Sequence, residues 1–135
     1  MCAHPRARNV PASYRIDKER RLVMSHAWGV FTFADAAAHK DKLLRDPDFD
    51  PTYSQISDYT HVVEIKLSSE EIRRFADFDV FSPQSRRAFI APEDAKFGLG
   101  RMFAMQRETR GETGIGVFRT LEEALEWVFP KDAKG

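Results

Sequence analysis

Short runs of strand-forming residues alternate along this chain with capped amphipathic segments, and that alternation predicts an α/β domain with a mostly parallel five-stranded sheet. Two further observations define the arrangement. Only the charged triplet Lys18-Glu19-Arg20 separates the first two runs, which suits an antiparallel hairpin at one edge of the sheet. The chain has 135 residues, of which 42% are hydrophobic and 31% charged, and these values fit one globular domain. The expected order is β-β-α-β-α-β-α-β-α over residues 13–130, with a flexible leader at 1–12 and a flexible tail at 131–135.

The hairpin strands are Ser13 to Asp17 and Arg21 to Phe31. Thr32 then caps a helix, with Asp35 three residues on to complete the cap. Phe33, Ala36, Ala37, Lys40, Leu43 and Leu44 share one side of it, Lys40 being the polar intruder. Pro47 ends the helix, and Pro47 and Pro51 bracket the acidic loop Asp48-Phe49-Asp50. A third strand is expected at Tyr53 to Asp58, followed by an irregular polar loop through His61 and Glu64. Ser68-Ser69-Glu70-Glu71 is a capping box that opens a helix with Ile72, Phe75 and Ala76 inward. A loop over 78–83 leads to the fourth strand, Arg86 to Ala91. Pro92 suits the first position of a third helix, with Glu93 and Asp94 in its first turn. Leu99, Met102, Phe103 and Gln106 form the inward face of that helix. Gly111 to Gly114 turns the chain into the last strand, Ile115 to Phe118. Thr120-Leu121-Glu122-Glu123 opens a final helix with Leu121, Ala124, Leu125 and Val128 inward.

Composition excludes several function classes. Lys and Arg number 21 and Asp and Glu number 21, so the net charge is zero, which removes the simplest case for a nucleic-acid binder. The positive Arg86, Arg87, Lys96, Arg101, Arg107 and Arg110 are offset by Asp46, Asp48 and Asp50, a pattern suited to solubility or self-association. The single cysteine, Cys2, lies in the leader and supplies neither a disulfide framework nor a thiolate metal site. No apolar run approaches the ~18 residues of a membrane span, and the N-terminus lacks the apolar segment of a secretory signal. A cytoplasmic location is expected, with no cofactor and no metal.

Several phrases of the sequence resemble the STAS domain of anti-sigma-factor antagonists, and above all the uncharacterised bacterial STAS-like group of that superfamily. They are Tyr14-Arg15-Ile16-Asp17, Trp28-Gly29-Val30-Phe31, Asp46-Pro47-Asp48-Phe49-Asp50, Arg87-Ala88-Phe89-Ile90-Ala91-Pro92, and the stretch from Val117 to Ala124. The resemblance covers Ser13 to Phe129 and implies a right-handed β–α superhelix with its helices mainly on one face. In phospho-regulated members, a serine preceded by aspartate opens the helix after the third strand. The corresponding residues, Ser68 and Ser69, follow Leu67 rather than aspartate, and Glu70 stands where those members carry glycine. Ser68 and Ser69 are therefore both candidate phosphoacceptors and ordinary capping residues; Glu70 and Glu71 would repel a phosphate there.

The remaining candidates follow from residue chemistry. Asp58, His61 and Glu64 form a polar cluster after a strand end, where open α/β sheets place ligand crevices, but no nucleophile or glycine-rich phosphate loop accompanies them. His26 shares a strand face with Met24 and Trp28, and His39 follows Asp35 by one helical turn, an ordinary surface spacing. Gly98 and Gly100 each cost ~1 kcal/mol inside a helix relative to alanine. Either the helix packs closely there, or the glycines leave room for a ligand beside Phe97, Leu99, Met102 and Phe103. No catalytic residue is assigned. The leading expectation is a non-enzymatic regulatory or interaction domain acting through a protein partner or as a homodimer. A carrier or sensor of a small apolar or amphipathic ligand is the alternative, and a small enzyme using Asp58 and His61 comes third.

Overall fold

The computed structural model describes residues 11–77, 81–108 and 114–130. Its elements are β1 (Ala12–Asp17), β2 (Leu22–Thr32), α1 (Phe33–Leu44), β3 (Ser54–Lys66), α2 (Ser69–Asp77), β4 (Arg87–Ile90), α3 (Asp94–Glu108), β5 (Ile115–Phe118) and α4 (Leu121–Val128). Residues 1–10 of the expected leader, 78–80 of the expected loop, 109–113 with Arg110 and most of the expected turn, and the tail at 131–135 lie outside the described residues. Five strands form one sheet in the order β1-β2-β3-β4-β5, with β1 and β2 antiparallel and every later pair parallel.

This sequential order governs where the helices go. Each parallel crossover steps the same way along the sheet, and crossovers have one preferred hand, so α1, α2 and α3 gather on one face. Helix α4 follows the last strand, is no crossover, and folds back onto the opposite face. The packing matches: Leu22, Ile56, Ala88 and Ile90 meet Ala124 and Val128 of α4. On the other face Val23 packs with Leu43 of α1, and Ala27, Phe31 and Val62 pack with Ala36. Ile72 of α2 and Phe103 of α3 complete that layer with Phe89 and Ile115.

Local chemistry sets the boundaries. Thr32 Oγ1 accepts the Asp35 amide while the Asp35 carboxylate takes the Thr32 amide, so α1 opens on a full capping box. Ser68 and Glu71 make the same reciprocal pair before α2. At Thr120 only half the motif forms. Its hydroxyl accepts from the Glu123 amide, but the Glu123 carboxylate takes the Arg119 amide instead.

Three boundaries differ from the sequence-based expectation. The polar segment after Asp58 is strand, not loop, for β3 runs unbroken to Lys66 beside β2. Its inward residues Tyr59, Val62 and Ile65 are three apart rather than two, and register shifts near Trp28 and Gly29 absorb the excess; Gly29 supplies the positive φ of +66°. Pro92 stands two residues before α3: its carbonyl accepts from Arg119 Nη1, and the first helical carbonyl is that of Glu93, bonded by the Phe97 amide. Pro11 and Ala12, expected in the leader, belong to the fold: Pro11 is buried, its carbonyl accepts the Trp28 amide at 3.0 Å, and Ala12 begins β1.

Ile56 lies on the central strand with 0% exposure, between Met24 and Ala88 on the flanking strands. Ile56→Ala is expected to lower the unfolding free energy by about 2–5 kcal/mol, read by urea denaturation.

Candidate functional site

The face beneath α1, α2 and α3 is not uniformly apolar. Ser25 of β2, Gln55 and Ser57 of β3 and Arg87 of β4 lie buried in a row across the three strands. Gln55 Nε2 donates to Ser25 Oγ at 2.9 Å, leaving the serine proton for His39 Nε2 at 3.0 Å. His39 and the buried Lys40 reach the row from α1. Burial, and secondarily the Lys42 charge, push the His39 imidazole down to about 4, so it is neutral with Nε2 as acceptor. The Arg87 guanidinium lies over the Phe81 and Phe103 rings, 5.2 and 5.8 Å from their centroids. Burial holds the Tyr59 phenol at about 12 against the opposing pull of Arg87. His39, Lys40, Gln55, Ser57, Tyr59 and Arg87 line a small cavity of about 40 Å³ whose remaining wall is apolar.

Tyr59, Phe89 and Phe103 separate that cavity from a second one. Their rings meet edge to face, with centroids 6.2 Å apart for Tyr59–Phe89 and 5.5 Å for Phe89–Phe103. The second cavity, about 60 Å³, lies between α2, α3 and the outer half of β3. Ile65, Leu67, Ile72 and Leu99 supply its apolar wall, and Lys96 is the charged residue lining it. Its volume suits on the order of two to four water molecules. Gly100 also lines it, and a Cβ there would come within 3.0 Å of Val117 Cγ1, so this glycine lets α3 approach β5.

Of the five residues the sequence marked for a pocket, Leu99 and Phe103 line the apolar cavity. Phe97 lies instead under the Arg119 guanidinium, 4.1 Å from its ring centroid. Gly98 faces open space, and Met102 packs with Ile72 and Phe103 outside the lining. The polar trio does not assemble. Asp58 accepts from the Thr60 amide and hydroxyl, His61 Nδ1 pairs with His26 Nε2 at 3.3 Å, and Glu64 is exposed. Ser68 and Ser69 are both exposed, and the Ser68 hydroxyl is engaged as the α2 cap.

Sequence reasoning passed over Ser25, Gln55, Ser57, Tyr59 and Lys96. The period of two would have placed Ser25 inward between Val23 and Ala27, a polar residue on a buried face. Lys96 carried no such signal, because one lysine in the first turn of a helix reads as surface.

The Ser25–His39 contact has the spacing of a nucleophile and its base, but its electrostatics oppose that role. A base must become imidazolium, and burial beside cationic residues resists this. Among the described residues no carboxylate bonds His39 Nδ1, and no group of three or more His, Cys, Asp or Glu side chains could hold a metal ion. No described helix is long and apolar enough to cross a membrane.

The neutral His39 makes stability depend on pH. Its folded value lies below the ordinary 6.5, so the unfolded chain binds the extra proton first, and stability present above pH 6.5 is lost as pH falls towards 4. The loss is expected to be on the order of 3 kcal/mol over that window. His39→Gln, which keeps a partner for Ser25, should flatten the dependence in denaturation midpoints measured from pH 7 to 4.

No family model matches the chain, and no curated protein does. Among solved structures the chain is similar to an uncharacterised protein of the DUF3478 family with a SpoIIAA-like fold, from Shewanella loihica PV-4. The two share 15% identity, with a TM-score of 0.54, over 87% of this chain and 93% of the other. At that identity the likeness is one of fold: the chain has the SpoIIAA-like, STAS-like α/β architecture.

Proposed function

We propose that this domain is a non-enzymatic binding module that holds a small apolar or amphipathic molecule beneath α2 and α3. The observation that carries this reading is the apolar cavity itself, walled by Ile65, Leu67, Ile72 and Leu99 at the edge of a packed layer. Natural interiors leave few voids larger than a water molecule, so an apolar space retained between two helices marks where an apolar group can enter. Its position strengthens the argument, because α2 is seated mainly on α3 and not on the sheet. The uncongenial electrostatics of His39 and the dispersal of Asp58, His61 and Glu64 favour binding over chemistry.

A second reading is favoured by a separate observation on the opposite face. Helix α4 has eight residues, hence is about 12 Å long, and leaves part of the sheet open. Trp28, Val30 and Val63 are exposed along β2 and β3, Val63 to 75%. A second copy of the chain laid against these strands would bury them, and Arg15 on the neighbouring β1 and Glu64 on β3 offer charges of opposite sign. This is the route by which the domain would act as a homodimer.

Both readings are testable. Leu99→Trp is expected to abolish binding of 1-hexanol, followed by methyl chemical-shift titration. Gly98→Leu, outside the cavity, should leave binding unchanged and stabilise α3 by about 0.5–1 kcal/mol. Absence of 1-hexanol binding to the unaltered protein would sink the first reading. For the second, sedimentation equilibrium should show a dimer that Trp28→Glu with Val63→Glu converts to monomer; a monomer at high concentration would contradict it.

A further inference from the structure

The apolar cavity carries one charge, and its placement bears on the class of ligand. We infer that the site selects a short-chain or single-ring carboxylate, its tail among Ile72, Leu99 and Phe103 and its anionic head paired with Lys96. This deepens the binding reading above and rests on it. The Lys96 side chain is 8% exposed and lines the cavity, while its ammonium pairs with Glu93, one turn earlier on the chain. Glu93 is 70% exposed. The pair is therefore lopsided: one ion is withdrawn from water and the other sits in it.

That asymmetry makes the partner exchangeable. A buried ammonium requires an anion, because burial without one is costly. An exposed carboxylate loses little by returning to water, since pairs with one solvated member contribute weakly. A ligand carboxylate anchored by a buried apolar tail can take the place of Glu93 with the ammonium still paired. A neutral ligand of the same shape fills the cavity without that bond, and a ligand amine meets a like charge. The other charges at this end of α3 are already engaged: Arg119 binds Asp94 and the Pro92 carbonyl and covers Phe97.

The test compares hexanoate with 1-hexanol by methyl chemical-shift titration of the full chain. Hexanoate is expected to bind about tenfold more tightly, the size of one charge-assisted hydrogen bond. Lys96→Met should remove that preference while 1-hexanol still binds. Glu93→Gln, which leaves the Lys96 ammonium without its carboxylate and so lowers the stability of the free protein, should tighten hexanoate several-fold and leave 1-hexanol unchanged. Equal binding of the two ligands, or a hexanoate preference indifferent to Glu93→Gln and Lys96→Met, overturns the assignment to Lys96 and leaves the cavity reading standing. Binding of neither ligand overturns both.

Discussion

A parallel sheet must be covered on both faces, and in this chain the strand order divides the cover unequally. Sequential placement of β2, β3, β4 and β5 sends all three crossover helices to one side, leaving one eight-residue helix for the other. The two candidate surfaces follow from that inequality. On the crowded side three helices must fit against one another as well as against the sheet, and the mismatch remains as a cavity beside Ile72 and Leu99. On the sparse side α4 covers Ile56, Ala88 and Ile90 but leaves Trp28 and Val30 open. Binding in one place and docking in another are two consequences of one topology.

The crowded face is divided again by chemistry. Ser25, Gln55, Ser57 and Arg87 put a hydrogen-bonded row in the middle of a layer that could have been apolar. Such a row fixes register, because a one-residue slip of β3 would turn Gln55 and Ser57 onto the α4 side and Ile56 into the row. The aromatic partition of Tyr59, Phe89 and Phe103 keeps this polar region apart from the apolar cavity. The interior is thus polarised along the sheet, wet-chemistry groups under α1 and hydrocarbon under α2 and α3.

The architecture was legible in the sequence for identifiable reasons. Thr32 and Asp35, and Ser68 and Glu71, are local signals, and the structure forms both caps from the residues that signalled them. The five strands and their edge hairpin likewise follow from short runs with clear punctuation. What the sequence concealed lies where pattern and pairing part. Beyond Asp58 the inward residues of β3 fall three apart, which reads as loop, and only the neighbouring β2 keeps the segment extended. The cavity was half legible: Leu99 and Phe103 stand on the predicted inward face of α3. Its remaining wall comes from β3, the start of α2 and β4, and no one-dimensional spacing joins Tyr59, Ile72 and Phe89. Lys96 belongs to the same group, since its burial is a tertiary fact.

The central claim is that the space beneath α2 and α3 is a binding site and not a packing defect. Isotope-filtered nuclear Overhauser spectroscopy on methyl-labelled protein with hexanoate tests it most directly. Cross-peaks from the ligand chain to the methyl groups of Ile65, Ile72 and Leu99 are the predicted result. Cross-peaks confined to Val30 and Val63 on the open sheet strip, or none at saturating ligand, would contradict it.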